Sequence, residues 1–277
     1  MERSVARIIS ASPVIEGAGV HLNRVFGFSE VELFDPFLLL DDFRSDIPTH
    51  YLKGFPWHPH RGIETITYVL KGNVEHGDSL GNSGVISSGD VQWMTAGSGI
   101  VHQEMPKGDD QGAMHGFQLW ANLPARHKMT APRYQEITAA QIPVVDVDGA
   151  RVKVVAGEFA ATRGPVSDIF TDPEYLDVTL PEEGSFQRTL PADHTVMLYA
   201  IEGSGTTAAT AVSNRQLVLY GAGDEVSISA DQEGMRFLLL SGKPLREPIA
   251  WRGPIVMNTQ EELEIAFREY QEGTFIK

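Results

Sequence analysis

The chain contains no cysteine. That one absence excludes disulfides, thiolate metal sites and cysteine nucleophiles together. No run approaches the roughly 18 consecutive apolar residues that a bilayer-spanning helix needs. Basic residues are scarce, 22 against 37 acidic ones, for a net charge of −15. Lysine and arginine stand singly, without the concentrated patch that a phosphate backbone requires, so direct nucleic-acid binding is not expected. The opening Met1-Glu-Arg-Ser-Val-Ala-Arg lacks the apolar core and small-residue cleavage site of a secretory signal. A cytoplasmic location without membrane association is the expectation. What remains is an ordinary globular composition of 277 residues, 42% hydrophobic. It suffices for one large or two smaller domains with a sizeable core.

The chemistry concentrates between Gly54 and Glu104. This stretch begins Gly54-Phe-Pro-Trp-His58-Pro-His60-Arg61-Gly-Ile-Glu64 and ends Gly97-Ser-Gly99-Ile-Val-His102-Gln-Glu104. Each end carries two potential ligands one residue apart. On a strand, the two-residue side-chain period turns both members of such a pair to the same face. Strand-like segments flank both pairs, Glu64-Thr-Ile-Thr-Tyr-Val-Leu and Val91-Gln-Trp-Met, and glycines punctuate the chain between them. Two facing strands would then offer His58, His60, His102 and Glu104 to one point. Nitrogen and oxygen donors without thiolate suit a divalent transition metal. Phe55, Trp57 and Ile63 give the first pair an apolar frame that a merely solvated histidine pair would not need.

The rest of the chain supplies a frame. The apolar run between Asp35-Pro36 and Asp41-Asp42 suits a buried strand; the two aspartates are expected in a turn or hydrogen-bonded role, with a second carboxylate site as the alternative. His115 shares the odd-numbered face with Phe117, Leu119 and Ala121, which makes it a core or outer-shell histidine rather than a ligand. Residues 124–143, with Pro124, Pro132 and Pro143, read as an inter-domain connection. From about Val144 the chain repeats itself: Tyr199-Ala-Ile-Glu-Gly203 echoes Tyr68-Val-Leu-Lys-Gly72, and Gly221-Ala-Gly223-Asp224 echoes Ser87-Ser-Gly89-Asp90. The division expected is therefore 1–143 and 144–277. Carried through the repeat, the four ligand positions fall on Thr189, Pro191, Arg236 and Leu238, so the second domain is expected to bind no metal, and His194 there is a lone structural histidine. Thr259 and Glu262 form a capping box ahead of Leu263, Ala266, Phe267 and Tyr270, and Gly273 ends the segment. That is a short amphipathic helix packed on a barrel.

His58-Pro-His-Arg-Gly-Ile-Glu-Thr resembles the first motif of the pirin family. So do Gly89-Asp-Val-Gln-Trp-Met-Thr-Ala-Gly-Ser-Gly-Ile-Val-His-Gln-Glu-Met-Pro106 and His115-Gly-Phe-Gln-Leu-Trp-Ala-Asn-Leu-Pro, and the likeness runs over essentially the whole chain. The resemblance implies an all-β cupin protein: two stacked jelly-roll barrels and a short C-terminal α-helix. It places the metal ligands on His58, His60, His102 and Glu104, with Glu64 as a nearby outer-shell group. It favours iron, with nickel, manganese, cobalt, copper or zinc as other divalent candidates. Several bacterial pirins look like quercetin 2,3-dioxygenases, which implies a small aromatic substrate and dioxygen as partners. In that reading Glu104 accepts the flavonol 3-hydroxyl proton, and the ring is cleaved with loss of carbon monoxide. Phe55, Trp57 and Met105 form an apolar wall, and Arg61 holds an anionic oxygen or pairs with a local carboxylate. Other pirins imply a second reading, a non-enzymatic, redox-sensitive metal protein that modulates a transcription factor or a metabolic enzyme through a protein contact.

Overall fold

Residue-by-residue alternation of burial is what makes these segments strands. In Ile100–Lys107, His102, Glu104 and Pro106 point inward while Val101, Gln103 and Met105 face outward. The computed structural model describes residues 1–277 and resolves into two units. The first comprises Ser12–Ala139 with Leu245–Lys277, and the second Met1–Ala11 with Ala140–Pro244. A simple split at 143/144 is thus crossed at both ends. The strand Val5–Ser10 pairs with Gln216–Tyr220 of the second unit. The C-terminal segment returns to the first, where Leu263 and Ala266 of the helix Gln260–Gln271 pack with Ile255, Met257 and Phe275.

The first unit holds two antiparallel sheets of the cupin jelly-roll type. The larger runs Arg133–Ile137, Val91–Thr95, Ile63–Lys71, His115–Asn122, Phe37–Asp42, Val20–Phe26 and Ser12–Glu16. The smaller runs Phe55–His60, Ile100–Lys107, Asn73–Asp78 and Ser83–Ile86. Arg133–Ile137, expected in the inter-domain connection, is an edge strand paired with Val91–Thr95. The second unit is built on a nine-stranded sheet. The repeat joins the two units position by position. Tyr68 and Tyr199 are both fully buried. Gly72 and Gly203 both take a positive φ, as do Gly89 and Gly223, the left-handed turns that only glycine enters without strain.

The repeat also exposes a difference in filling. Thr67 of the first unit corresponds to Leu198 of the second. Leu198 lies in an apolar core with Val178, Val196, Phe237 and Leu239, and each such buried side chain contributes about 1.5–3 kcal/mol. Thr67 instead faces a polar interior. One unit is filled and the other is hollow.

The capping box at the C-terminal helix is present: Thr259 Oγ1 accepts from the Glu262 N–H, and the Glu262 carboxylate accepts from the Thr259 N–H, at 3.2 and 3.0 Å. Two buried cations fasten this segment to the first unit. Lys128 Nζ donates to the Gly62 and Val256 carbonyls and to Asn122 Oδ1, at 2.8, 3.0 and 2.7 Å. Gly62 has φ +79, and a Cβ there would meet the Val256 carbonyl oxygen at 1.9 Å. Burial lowers the Lys128 ammonium from 10.5 to about 7. Between those values the unfolded chain holds a proton that the folded chain has released, so stability rises with pH across that window. Below about 7 the burial cost is present in full. Lys128→Met is expected to flatten this rise between pH 7 and 10, read from urea midpoints by tryptophan fluorescence. All four tryptophans, Trp57, Trp93, Trp120 and Trp251, belong to this unit. An unchanged slope would dismiss Lys128 as its source.

Candidate metal centre and its cavity

Antiparallel pairing of Phe55–His60 with Ile100–Lys107 sets His102 directly opposite His58. His60 lies two residues further along its strand and shares the face. His58 Nε2 stands 3.1 Å from His60 Nε2 and 3.0 Å from His102 Nε2, and all three ligand atoms lie within 4.8 Å of one another. For His58 and His60 the other ring nitrogen is spoken for, whereas His102 Nδ1 is buried without a hydrogen-bond partner. His58 Nδ1 donates to the Pro56 carbonyl at 2.8 Å and His60 Nδ1 to the Pro254 carbonyl at 3.1 Å. These bonds fix the Nδ1–H tautomer and leave the Nε2 lone pairs facing one another. Burial, reinforced by the neighbouring imidazoles, holds His60 and His102 well below the ordinary histidine value, so both rings are neutral at pH 7.

Converging lone pairs repel unless a cation sits among them. Donors held at about 2.1 Å from one ion stand about 3.0 Å apart at right angles and about 3.4 Å apart at tetrahedral angles. The two spacings to His58, 3.0 and 3.1 Å, are short enough for these nitrogens to share one ion.

The compact group is three histidines, without Glu104. Glu104 stands beside it, with Oε2 3.9 Å from His102 Nε2. Its carboxylate accepts from Thr67 Oγ1 at 3.1 Å and from Gln118 Nε2 at 3.0 and 3.2 Å. Gln118 is oriented in turn by Trp120, whose Nε1 donates to Gln118 Oε1 at 3.1 Å. Glu64 is fully buried, accepts from Thr95 Oγ1 at 2.7 Å and lies outside the histidine group; burial raises its carboxyl. His115 is buried beside Asp42, also away from the group.

A cavity of about 670 Å³ reaches His58, His60 and Glu104, within the usual range for small-molecule sites. Its apolar walls are Phe28, Leu39, Phe55, Trp120 and Trp251. Of the substrate contacts expected from sequence, Phe55 lines it, and Trp57, Met105 and Arg61 do not. Trp57 is 52% exposed, because strand alternation turns it away from His58. Phe55 escapes that alternation through a bulge: the register shifts between His102 and Glu104, which brings Phe55 opposite Glu104. Met105 points outward beside Glu104 for the same reason of alternation.

Arg61 has a different task. It is 1% exposed. Its Nε donates to the Ser98 carbonyl at 2.7 Å, one terminal nitrogen to Glu269 Oε2 at 2.7 Å, and the other to the Phe275 carbonyl at 2.9 Å. The guanidinium also lies over the Phe275 ring, 4.1 Å from its centroid. Arg61 clamps the C-terminal segment and does not face the cavity. In contrast, Trp120 and Gln118 were recoverable from sequence. If Phe117, Leu119 and Ala121 face one way along their strand, Gln118 and Trp120 must face the other.

Three imidazoles converging beside an aromatic cavity, in one of two cupin domains, define a bicupin with a candidate metal site. The chain belongs to the pirin family: residues 19–121 match Pirin and residues 175–276 match the Pirin C-terminal cupin domain. It is 47% identical to a pirin-like protein of Caulobacter vibrioides, over 99% of each chain. It is 44% identical to a Pseudomonas aeruginosa protein provisionally named a quercetin 2,3-dioxygenase, over 98% of this chain and 97% of that one. The crystal structure of a quercetin 2,3-dioxygenase from Acinetobacter baumannii superposes with a TM-score of 0.91 at 33% identity, covering 99% of both chains.

Proposed function

We propose that the protein is a metal-dependent dioxygenase of pirin type that cleaves a flavonol such as quercetin with release of carbon monoxide. The observation that carries this reading is the opening of a large aromatic cavity onto His58, His60 and Glu104, beside the point where His58, His60 and His102 converge. A regulatory metal protein needs the imidazoles but not the cavity. His58, His60 and His102 hold one divalent ion, with Glu104 as the adjoining carboxylate. Nitrogen and oxygen donors without thiolate suit a divalent transition ion, with iron favoured and nickel, manganese, cobalt, copper and zinc as alternatives. When bound, the metal supplies a Lewis-acid and redox centre for the flavonol oxygen and dioxygen.

The chain's own residues then do the following. Phe55, Trp120 and Trp251 sandwich the flat rings and exclude water. Glu104 takes the 3-hydroxyl proton on a carboxylate oxygen, and the Thr67 hydroxyl and Gln118 amide hold that carboxylate in place. Glu104→Gln is expected to keep the greater part of the metal and lose at least about 100-fold in activity. The test is oxygen uptake and carbon monoxide release with quercetin, on protein loaded separately with each candidate metal. No uptake with any fully loaded metal would abandon the dioxygenase reading for the regulatory one.

A further inference from the structure

The inward face of the seven-stranded sheet carries a row that stays polar from strand to strand. Register places Arg24 opposite Asp41, Asp41 opposite Gln118, Gln118 opposite Thr67, and Thr67 opposite Gln92. A covered face tolerates such groups only when they are paired or face a ligand. Thr67 and Gln118 are accounted for, since both hold Glu104. Arg24 and Asp41 do not touch Glu104, yet both stand on the cavity wall.

Their pairing decides what they can recognise. Arg24 grips both Asp41 oxygens, at 2.9 and 2.8 Å, and a further nitrogen reaches Glu16 Oε1 at 2.8 Å. Arg24 is the only lysine or arginine on the cavity lining, and Asp41, Glu16 and Glu104 all line the same cavity. A guanidinium already compensated by two carboxylates offers little to an anionic ligand. The carboxylates, however, keep acceptor capacity, because each has about four lone-pair sites.

We propose that Asp41, held by Arg24 and flanked by Glu16, forms a second polar subsite that accepts hydrogen bonds from the hydroxyl groups of an uncharged, polyhydroxylated aromatic substrate and disfavours anionic ones. The inference rests on the reading of the cavity as an aromatic-substrate site. Burial raises the Asp41 carboxyl to about 6 against the pull of Arg24, which leaves it mainly ionised, and an acceptor, at pH 7. Cross-strand pairing of Asp41 with Gln118 makes the subsite continuous with the support of Glu104, so one flat molecule can engage both ends.

The test compares quercetin with 3-hydroxyflavone, which keeps the 3-hydroxyl and lacks the others. Affinities are read under argon, without turnover, by quenching of tryptophan fluorescence in the metal-loaded protein. Quercetin is expected to bind at least about tenfold more tightly than 3-hydroxyflavone. Asp41→Asn should shrink that preference to about twofold or less and leave 3-hydroxyflavone affinity unchanged. Glu16→Gln, at a more exposed position, should reduce the preference in the same direction and guards against a folding defect in Asp41→Asn. A sulfonated quercetin should bind more weakly than quercetin. Equal affinity for the two flavonols in the natural protein, or a preference that survives both substitutions, overturns the subsite while leaving the dioxygenase reading standing. Failure of both flavonols to bind at all overturns the substrate reading, and the subsite with it.

Discussion

His102→Ala is expected to emerge from purification with less than about a tenth of the metal held by the natural protein. Outer-shell substitutions alone typically cost metal sites 10–100-fold in affinity, and loss of a ligand costs more. His58 Nε2 would keep His60 as neighbour at 3.1 Å but lose His102 at 3.0 Å. Two imidazoles without the third make a weak, open chelate. The fold should persist, because His102 sits in a strand paired on both sides, with Phe55–His60 and Asn73–Asp78. His194→Ala, in the other unit, should leave metal content unchanged. Emission spectroscopy on desalted protein gives the answer, and full metal retention in His102→Ala would end the proposed site.

The second large effect concerns stability. Arg61→Ala should destabilise the first unit by at least about 2 kcal/mol, since each buried carbonyl that loses its donor costs about 1–3 kcal/mol. The guanidinium serves two backbone carbonyls, one carboxylate and one aromatic face. Its removal leaves the Ser98 and Phe275 carbonyls without that donor and frees the end of the chain. Urea denaturation followed by tryptophan fluorescence measures the loss. A substrate contact would behave in the opposite way, with unchanged stability and a raised KM. That outcome would restore the role expected from sequence.

The difference between those two residues shows what the sequence could convey. The convergence of His58, His60 and His102, with Glu104 beside rather than within the group, was legible because a strand's two-residue period is local and two short motifs carry it. The repeat of Tyr68-to-Gly72 in Tyr199-to-Gly203 was legible for the same reason, since both carry the same turn. Arg61 was not. Its carboxylate partner lies 208 residues away, and nothing beside it in the chain distinguishes a clamp from a substrate contact. Trp251 reaches the cavity wall only because the C-terminal segment folds back onto the first unit, which the expected boundary at 143/144 did not foresee. Phe55 and Trp57 read as equivalent until a bulge turns one inward and leaves the other outside. Long-range pairing and irregular register are properties of the assembled sheet, and no short window of sequence holds them.

The bond from His60 Nδ1 to the Pro254 carbonyl spans 194 residues. During synthesis, His58, His60 and His102 leave the ribosome long before Pro254 exists to hold the His60 ring. Arg61 and Lys128 likewise wait for Phe275 and Val256. The His60 ring therefore waits for a distant acceptor, whereas His58 finds its own at Pro56, two residues away. The order of synthesis thus makes the orientation of His60 the last part of the histidine cluster to be set, and damage around Pro254 would loosen that ring while leaving the strands that carry the cluster paired.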